Sequence, residues 1–234
     1  MQITERARDA LAELQRAAAP VLALLAPQRC GACSIEGALL CDACCAELGL
    51  TGAASVQLGS APAGCVAGAW MGPYESGLGE IVRTLKFHGV PALAEPLGAG
   101  LRNAMRAVLR EIGDGATLVP IPTDPARLRE RGFDHAALIA AAAARSLSCE
   151  IVPLLERTRA VPALHSLGRT ERRRVMDRVF AVRPGAAIPE RVILVDDIWT
   201  SGATFEAAAA TLQAAGCTTI GVVAVAREAL VAGA

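Results

Sequence analysis

One segment limits the possible fold more than any other: Arg191-Val-Ile-Leu-Val-Asp-Asp-Ile-Trp-Thr-Ser-Gly-Ala-Thr204. It reads as a continuous apolar strand, an acidic pair at the strand's carboxyl end, and a small hydroxyl/Gly loop that opens a helix. Ligands of parallel sheets bind at that end. Backbone N–H groups of residues 200–204, the Thr and Ser hydroxyls and the positive helix terminus can surround a phosphate, and Gly202 lets the main chain approach closely. Asp196 and Asp197 beside such an anion make sense as partners of sugar hydroxyls or of a Mg²⁺ water shell. The plainer alternative is an N-capped helix after a buried strand.

The surrounding pattern alternates. Strands are predicted near Cys65–Trp70, Thr117–Ile121, Glu150–Val152, Val192–Val195 and Thr219–Ala226. Helices are predicted near Leu78–Phe87, Pro91–Glu111, after Asp134, and over Ala203–Ala215 with a stop at Gly216. Such alternation predicts an α/β fold with a parallel sheet. Ahead of it, residues 3–25 carry apolar side chains at helical spacing, and the Gly/Ala/Ser/Pro-rich residues 49–64 read as a linker or loose loop. The expected organisation is an N-terminal helix over 1–27, a small module over 28–48 and a main domain over 65–230.

The module holds Cys30-x2-Cys33-x7-Cys41-x2-Cys44. Two such knuckles can close a tetrahedral site of four thiolates on one structural Zn²⁺. A disulfide pair is the alternative, disfavoured in a reducing compartment. Cys45 stands by as a substitute ligand, and Cys65, Cys149 and Cys217 read as buried small apolar residues.

Composition excludes several classes. With 23 basic and 23 acidic residues the chain is not a wholesale nucleic-acid binder, and no apolar run approaches a bilayer span. Ala17–Pro27 is short and follows acidic residues, unlike a secretion signal, so a soluble, cytoplasmic protein is expected. Lys86, the only lysine, is followed by Phe87 and forms no Walker loop, while Gly77-x-Gly79 lacks a third glycine. Charge is concentrated locally, with 12 Arg against six acids between Arg127 and Arg183, a segment suited to facing an anion.

Residues 191–204 resemble the 5-phosphoribosyl-1-pyrophosphate (PRPP) signature of type I phosphoribosyltransferases. With the cysteine knuckles, Tyr74–Gly89, Val119–Pro122 and Arg129-Glu-Arg-Gly-Phe133, the chain resembles the ComF family, associated with DNA uptake in competent bacteria, over about residues 28–228. The resemblance implies a Rossmann-like phosphoribosyltransferase domain. In it Thr200, Ser201, Gly202, Ala203 and Thr204 hold the 5′-phosphate, and Asp196 and Asp197 lie near the ribose hydroxyls and Mg²⁺. Pro120, Ile121, Pro122 and Thr123 would form the pyrophosphate loop, with Arg127, Arg129 and Arg131 after it. Alternatively, the prolines only turn the chain and the arginines are solvated. Residues 157–178 would be a mobile flap whose Arg169, Arg172, Arg173 and Arg174 close over diphosphate or touch a nucleic acid backbone. The chain departs from the family at Asp134-His135, where Asn-Gln is usual.

His88, His135 and His165 have no sequence partner and read as surface or packing residues, whereas Lys86 is a candidate substrate contact. Two functions compete. One is a phosphoribosyltransferase-like protein binding Mg²⁺-PRPP, on which an acceptor displaces pyrophosphate. The other is a non-catalytic nucleotide- or DNA-associated protein, engaging single-stranded DNA or the uptake machinery through the zinc module and flap.

Overall fold

The computed structural model describes residues 28–51, 56–147, 149–158 and 179–229. The predicted helix over 3–25 and the flap beyond Thr158 lie outside them. The described elements are α1 (Asp42–Glu47), β1 (Gln57–Gly59), β2 (Ala67–Pro73), α2 (Gly77–Phe87), a 3₁₀ turn (Pro91–Leu93) and α3 (Ala94–Ile112). Then come β3 (Thr117–Pro120), α4 (Pro125–Arg131), α5 (His135–Leu147), β4 (Leu155–Arg157), β5 (Phe180–Val182), β6 (Arg191–Trp199), α6 (Ala203–Ala214) and β7 (Thr219–Arg227).

Five strands form one sheet in the order β1-β2-β7-β6-β3, and a separate β4-β5 pair is antiparallel. Within the five-stranded sheet only β1, against β2, runs antiparallel. Ile151 extends the far edge through a parallel bridge to Leu118. The fold is therefore α/β with a mainly parallel sheet, as the alternation predicted. Two local expectations change. The stretch 49–64 is not all linker, because Gln57–Gly59 pairs as an edge strand. A short helix, α4, also follows the proline loop: Asp124 caps it by accepting from the Ala126 and Arg127 N–H groups, and Pro125 fits its first turn.

Burial on both faces explains why β6 and β7 read as unbroken apolar runs. Ile193, Val195, Val223 and Val225 face a core built with α2, α3 and α5, while Val192, Leu194, Ile220 and Val222 face one built with α6. Trp199, on the second side, packs edge-on to Trp70 and Phe205, and Gly68 leaves the space its ring fills. The Arg227 guanidinium lies 4.4 Å from both indole rings, a pair of cation–π contacts at the sheet's carboxyl end.

The cysteine segment does not hang free. Leu48 and Leu50 pack against the first core, and the Thr84 hydroxyl of α2 donates to the Gly31 carbonyl at 3.3 Å. On the same core, α3 meets α5 at Gly98. A Cβ there would sit 2.4 Å from the Ala142 Cβ and 2.6 Å from the Ile139 carbonyl oxygen. Gly98→Ala is expected to force these helices apart and cost about 1–3 kcal/mol, read as a lower midpoint in urea.

Candidate sugar-phosphate site

The strand order reverses between β3 and β6: from β3 the chain moves outward to residue 151, then returns to build β6 and β7 on the inner side. Their carboxyl ends open on a cavity of about 420 Å³. From β6 come Asp196, Asp197 and Ile198; from the loop after it, Thr200 and, on α6, Thr204; from the loop after β3, Ile121, Pro122 and Thr123. Arg127 and Arg131 of α4, Arg157 of β4 and Arg83 and Lys86 of α2 supply its cations, with Asp124 and Glu228 as further acids on the lining.

Several sequence candidates stand elsewhere. Pro120 is buried in the ladder opposite Val195, and Arg129 points out to solvent. Residues 127 and 131 are one helical turn apart and share a face that 129 does not. Ser201, Gly202 and Ala203 form the loop but do not line the cavity. Gly202, at φ 86°, adopts the left-handed conformation at the N-cap, and Ser201 Oγ accepts from the Ala203 N–H at 3.5 Å. The N-terminus of α6 meets the cavity at Thr200 and Thr204, where helix polarity favours an anion.

His135, read from sequence as a surface or packing residue, is an electrostatic partner. Its Nε2 lies 3.1 Å from Asp197 Oδ2, and Lys86 Nζ lies 2.6 Å from the same oxygen. Arg131 Nη1 lies 2.8 Å from His135 Nδ1. A guanidinium only donates, so Nδ1 accepts and the ring proton sits on Nε2, toward Asp197. Neither approach to Oδ2 is aligned as a hydrogen bond, and this buried oxygen holds no aligned donor. Asp134, beside His135, anchors the β3 loop: its carboxylate accepts from the Thr123 N–H at 3.0 Å and from the Ala137 N–H at 3.1 Å. Arg157 reaches the loop from the other side, donating through Nε to the Pro122 carbonyl at 2.8 Å.

The two carboxyls are pushed apart. Burial raises Asp196 to about 7, helped by the neighbouring Asp197 charge. Burial also works against Asp197, but the His135 ring and the Lys86 ammonium outweigh it and hold that carboxyl well below the usual range. At neutral pH Asp197 therefore carries the charge, while Asp196 is poised to gain or lose a proton.

His135, Asp196 and Asp197 bring possible metal ligand atoms within 4.8 Å of one another, yet the set does not fit Mg²⁺. The imidazole has no free lone pair to offer, Asp197 Oδ2 already faces two N–H groups, and Asp196 Oδ1 accepts from the Asp197 N–H at 2.9 Å. A divalent ion that demands about six oxygens finds two unengaged acidic oxygens here, Asp196 Oδ2 and Asp197 Oδ1.

The four cysteines do fit a metal such as zinc. The Sγ atoms of Cys30, Cys33, Cys41 and Cys44 lie within 4.8 Å of one another, and Cys33 and Cys41 are 3.7 Å apart. Four sulfurs about 2.3 Å from one ion are about 3.8 Å apart. Burial would raise the Cys30 thiol, but the N–H groups of Cys33, Cys41 and Ala32 turned toward it bring it down to about 6, which favours a thiolate. Of the other cysteines, Cys217 is buried, whereas Cys45, Cys65 and Cys149 are only half-buried.

Two measurements follow. Metal analysis of the purified chain should find one zinc per molecule and Cys33→Ser should lose it, with a lower melting temperature. The pH dependence of stability tests Asp196. Its folded carboxyl, raised above the unfolded value of 3.8, holds a proton that the unfolded chain releases, so its contribution to stability falls as pH climbs from about 4 through about 7. Asp196→Asn should accordingly stabilise the protein more at pH 8 than at pH 5, read by thermal melts.

Among the described residues no helix is long and apolar enough to cross a membrane. No protein-family model matches the chain. It is similar to the competence protein ComFC of Streptococcus pneumoniae (strain ATCC BAA-255 / R6), with 36% identity over 98 residues. That match spans 42% of this chain and 42% of the length of ComFC. With its mainly parallel α/β sheet, consistent with a phosphoribosyltransferase-like fold, and its four-cysteine cluster, the chain is a distant homologue of ComFC.

Proposed function

We propose that the cavity binds PRPP and that the protein acts as a phosphoribosyltransferase-like enzyme in the uptake or handling of DNA. The observation that carries this reading is the convergence, at one crevice, of a helix N-terminus with a glycine N-cap, a buried charged carboxylate, and four arginines. Each feature answers one part of the ligand. The N-terminal turn of α6 and the Thr200 and Thr204 hydroxyls take the 5′-phosphate. Asp197, which lines the cavity, accepts from a ribose hydroxyl. Arg127, Arg131 and Arg157, around the Ile121–Thr123 loop, take the diphosphate.

The chemistry is then displacement at the anomeric carbon. The acceptor's lone pair forms the new bond as the carbon–oxygen bond to diphosphate breaks, and the electron pair leaves with pyrophosphate. The arginines stabilise the charge gathering on the leaving group, while the ionised Asp197 faces the sugar as cationic character grows. Asp196, near neutrality, is placed to accept the acceptor's proton. Mg²⁺ would enter as the counter-ion of the diphosphate. The competence role rests on the ComFC homology.

A second reading has one observation of its own. Phe87 is 70% exposed beside Lys86, His88, Arg127 and Arg131, an aromatic platform among cations of the kind that stacks single-stranded bases.

Isothermal titration of the zinc-loaded chain with PRPP, with and without Mg²⁺, separates the two. Saturable binding that the double variant Asp196→Asn/Asp197→Asn abolishes, and that Arg157→Ala weakens about tenfold or more, is the expected result. No heat with a folded protein, together with salt-dependent binding of single-stranded DNA that Phe87→Ala weakens, would instead establish the second reading.

A further inference from the structure

We infer that Lys86 is the resident cation of the acidic pair: its ammonium holds the place at Asp197 that a divalent metal ion would otherwise take. The site thus presents a neutralised carboxylate to its ligand without binding a metal through the protein. This deepens the PRPP reading by assigning the charge at its ribose end.

The geometry carries the inference. Lys86 Nζ stands 2.6 Å from Asp197 Oδ2, with side chains 17% and 4% exposed, and both groups line the cavity. A divalent ion on the same oxygen, at its usual distance of about 2.1 Å, would lie against the ammonium, two like charges sharing one carboxylate. His135 reinforces the exclusion, since its N–H faces Asp197 and Arg131 occupies its other nitrogen. The titratable and charged groups facing this carboxylate are therefore Lys86 from α2, His135 from α5 with Arg131 of α4 behind it, and Asp196 from its own strand.

The residue type agrees with the place. Lys86 is the only lysine among 23 basic residues. An ammonium is a compact point charge that fits end-on against one oxygen, whereas a guanidinium is a broad planar fork. Lys86 also lies in the last turn of α2, where a cation is favoured by the helix dipole.

Mn²⁺, followed by the loss of its free-ion resonance signal, is the probe, added to the zinc-loaded full chain with no sugar phosphate present. Wild type and Lys86→Arg should show no saturable Mn²⁺ site up to millimolar concentration. Lys86→Met should gain one site, at least tenfold tighter, that is lost again in Lys86→Met/Asp197→Asn. A wild-type Mn²⁺ site that Asp197→Asn removes would overturn the inference, as would a folded Lys86→Met that gains nothing.

A readout on the native chain covers the case in which Lys86→Met does not fold. Because the lysine is unique, its acylation by an amine-reactive ester can be followed by mass spectrometry. The rate should be unchanged by millimolar Mn²⁺; acceleration, showing that metal displaces the ammonium, would overturn the proposal. The PRPP reading is decided by the calorimetry described above. Neither metal experiment contains PRPP, so the two ideas fail separately.

Discussion

A carboxylate that is almost completely buried governs this architecture. An isolated charge at Asp197 would cost several kcal/mol in lost hydration, so the fold has to bring compensating groups to it. They come from far along the chain: Lys86 from the end of α2 and His135 from the start of α5, with Arg131 fixing the imidazole from behind. One carboxylate thus ties three segments to the carboxyl end of the central strand. Lys86 and His135 both face Oδ2, so the charge of this carboxylate is offset where water does not reach it.

The scaffold around it follows from parallel-sheet geometry. Helices on both faces bury β6 and β7 completely, and that leaves the strand ends as the place where polar groups reach solvent. The loop after β3 is held by Asp134 on one side and Arg157 on the other, which fixes the anion-facing wall before any ligand arrives.

The cysteine segment belongs to the same argument. Thr84, two residues before Lys86, donates to the carbonyl of Gly31 between the first two cysteines, and Leu48 packs against the start of α2 at Gly77. The module therefore braces the helix that delivers the lysine. A metal in the thiolate cluster would stabilise the position of Lys86 as well as the local fold.

What the sequence by itself determined was local. The cysteine spacing, the apolar run ending in Asp196-Asp197, the hydroxyl/Gly loop and each single strand or helix of the alternation are written within about twenty consecutive residues, where spacing alone fixes geometry. A local signal also existed for α4, in Asp124-Pro125, and reading it would have set the helical phase that turns Arg127 and Arg131 inward and Arg129 outward. Only the tertiary structure decided the rest. His135 becomes a partner of Asp197 across 62 residues of chain, Lys86 across 111, and Arg157 meets the β3 loop through its backbone. No periodicity encodes such contacts, because they arise where packed layers bring strand ends and helix ends together, and a buried charge then selects which side chains remain beside it.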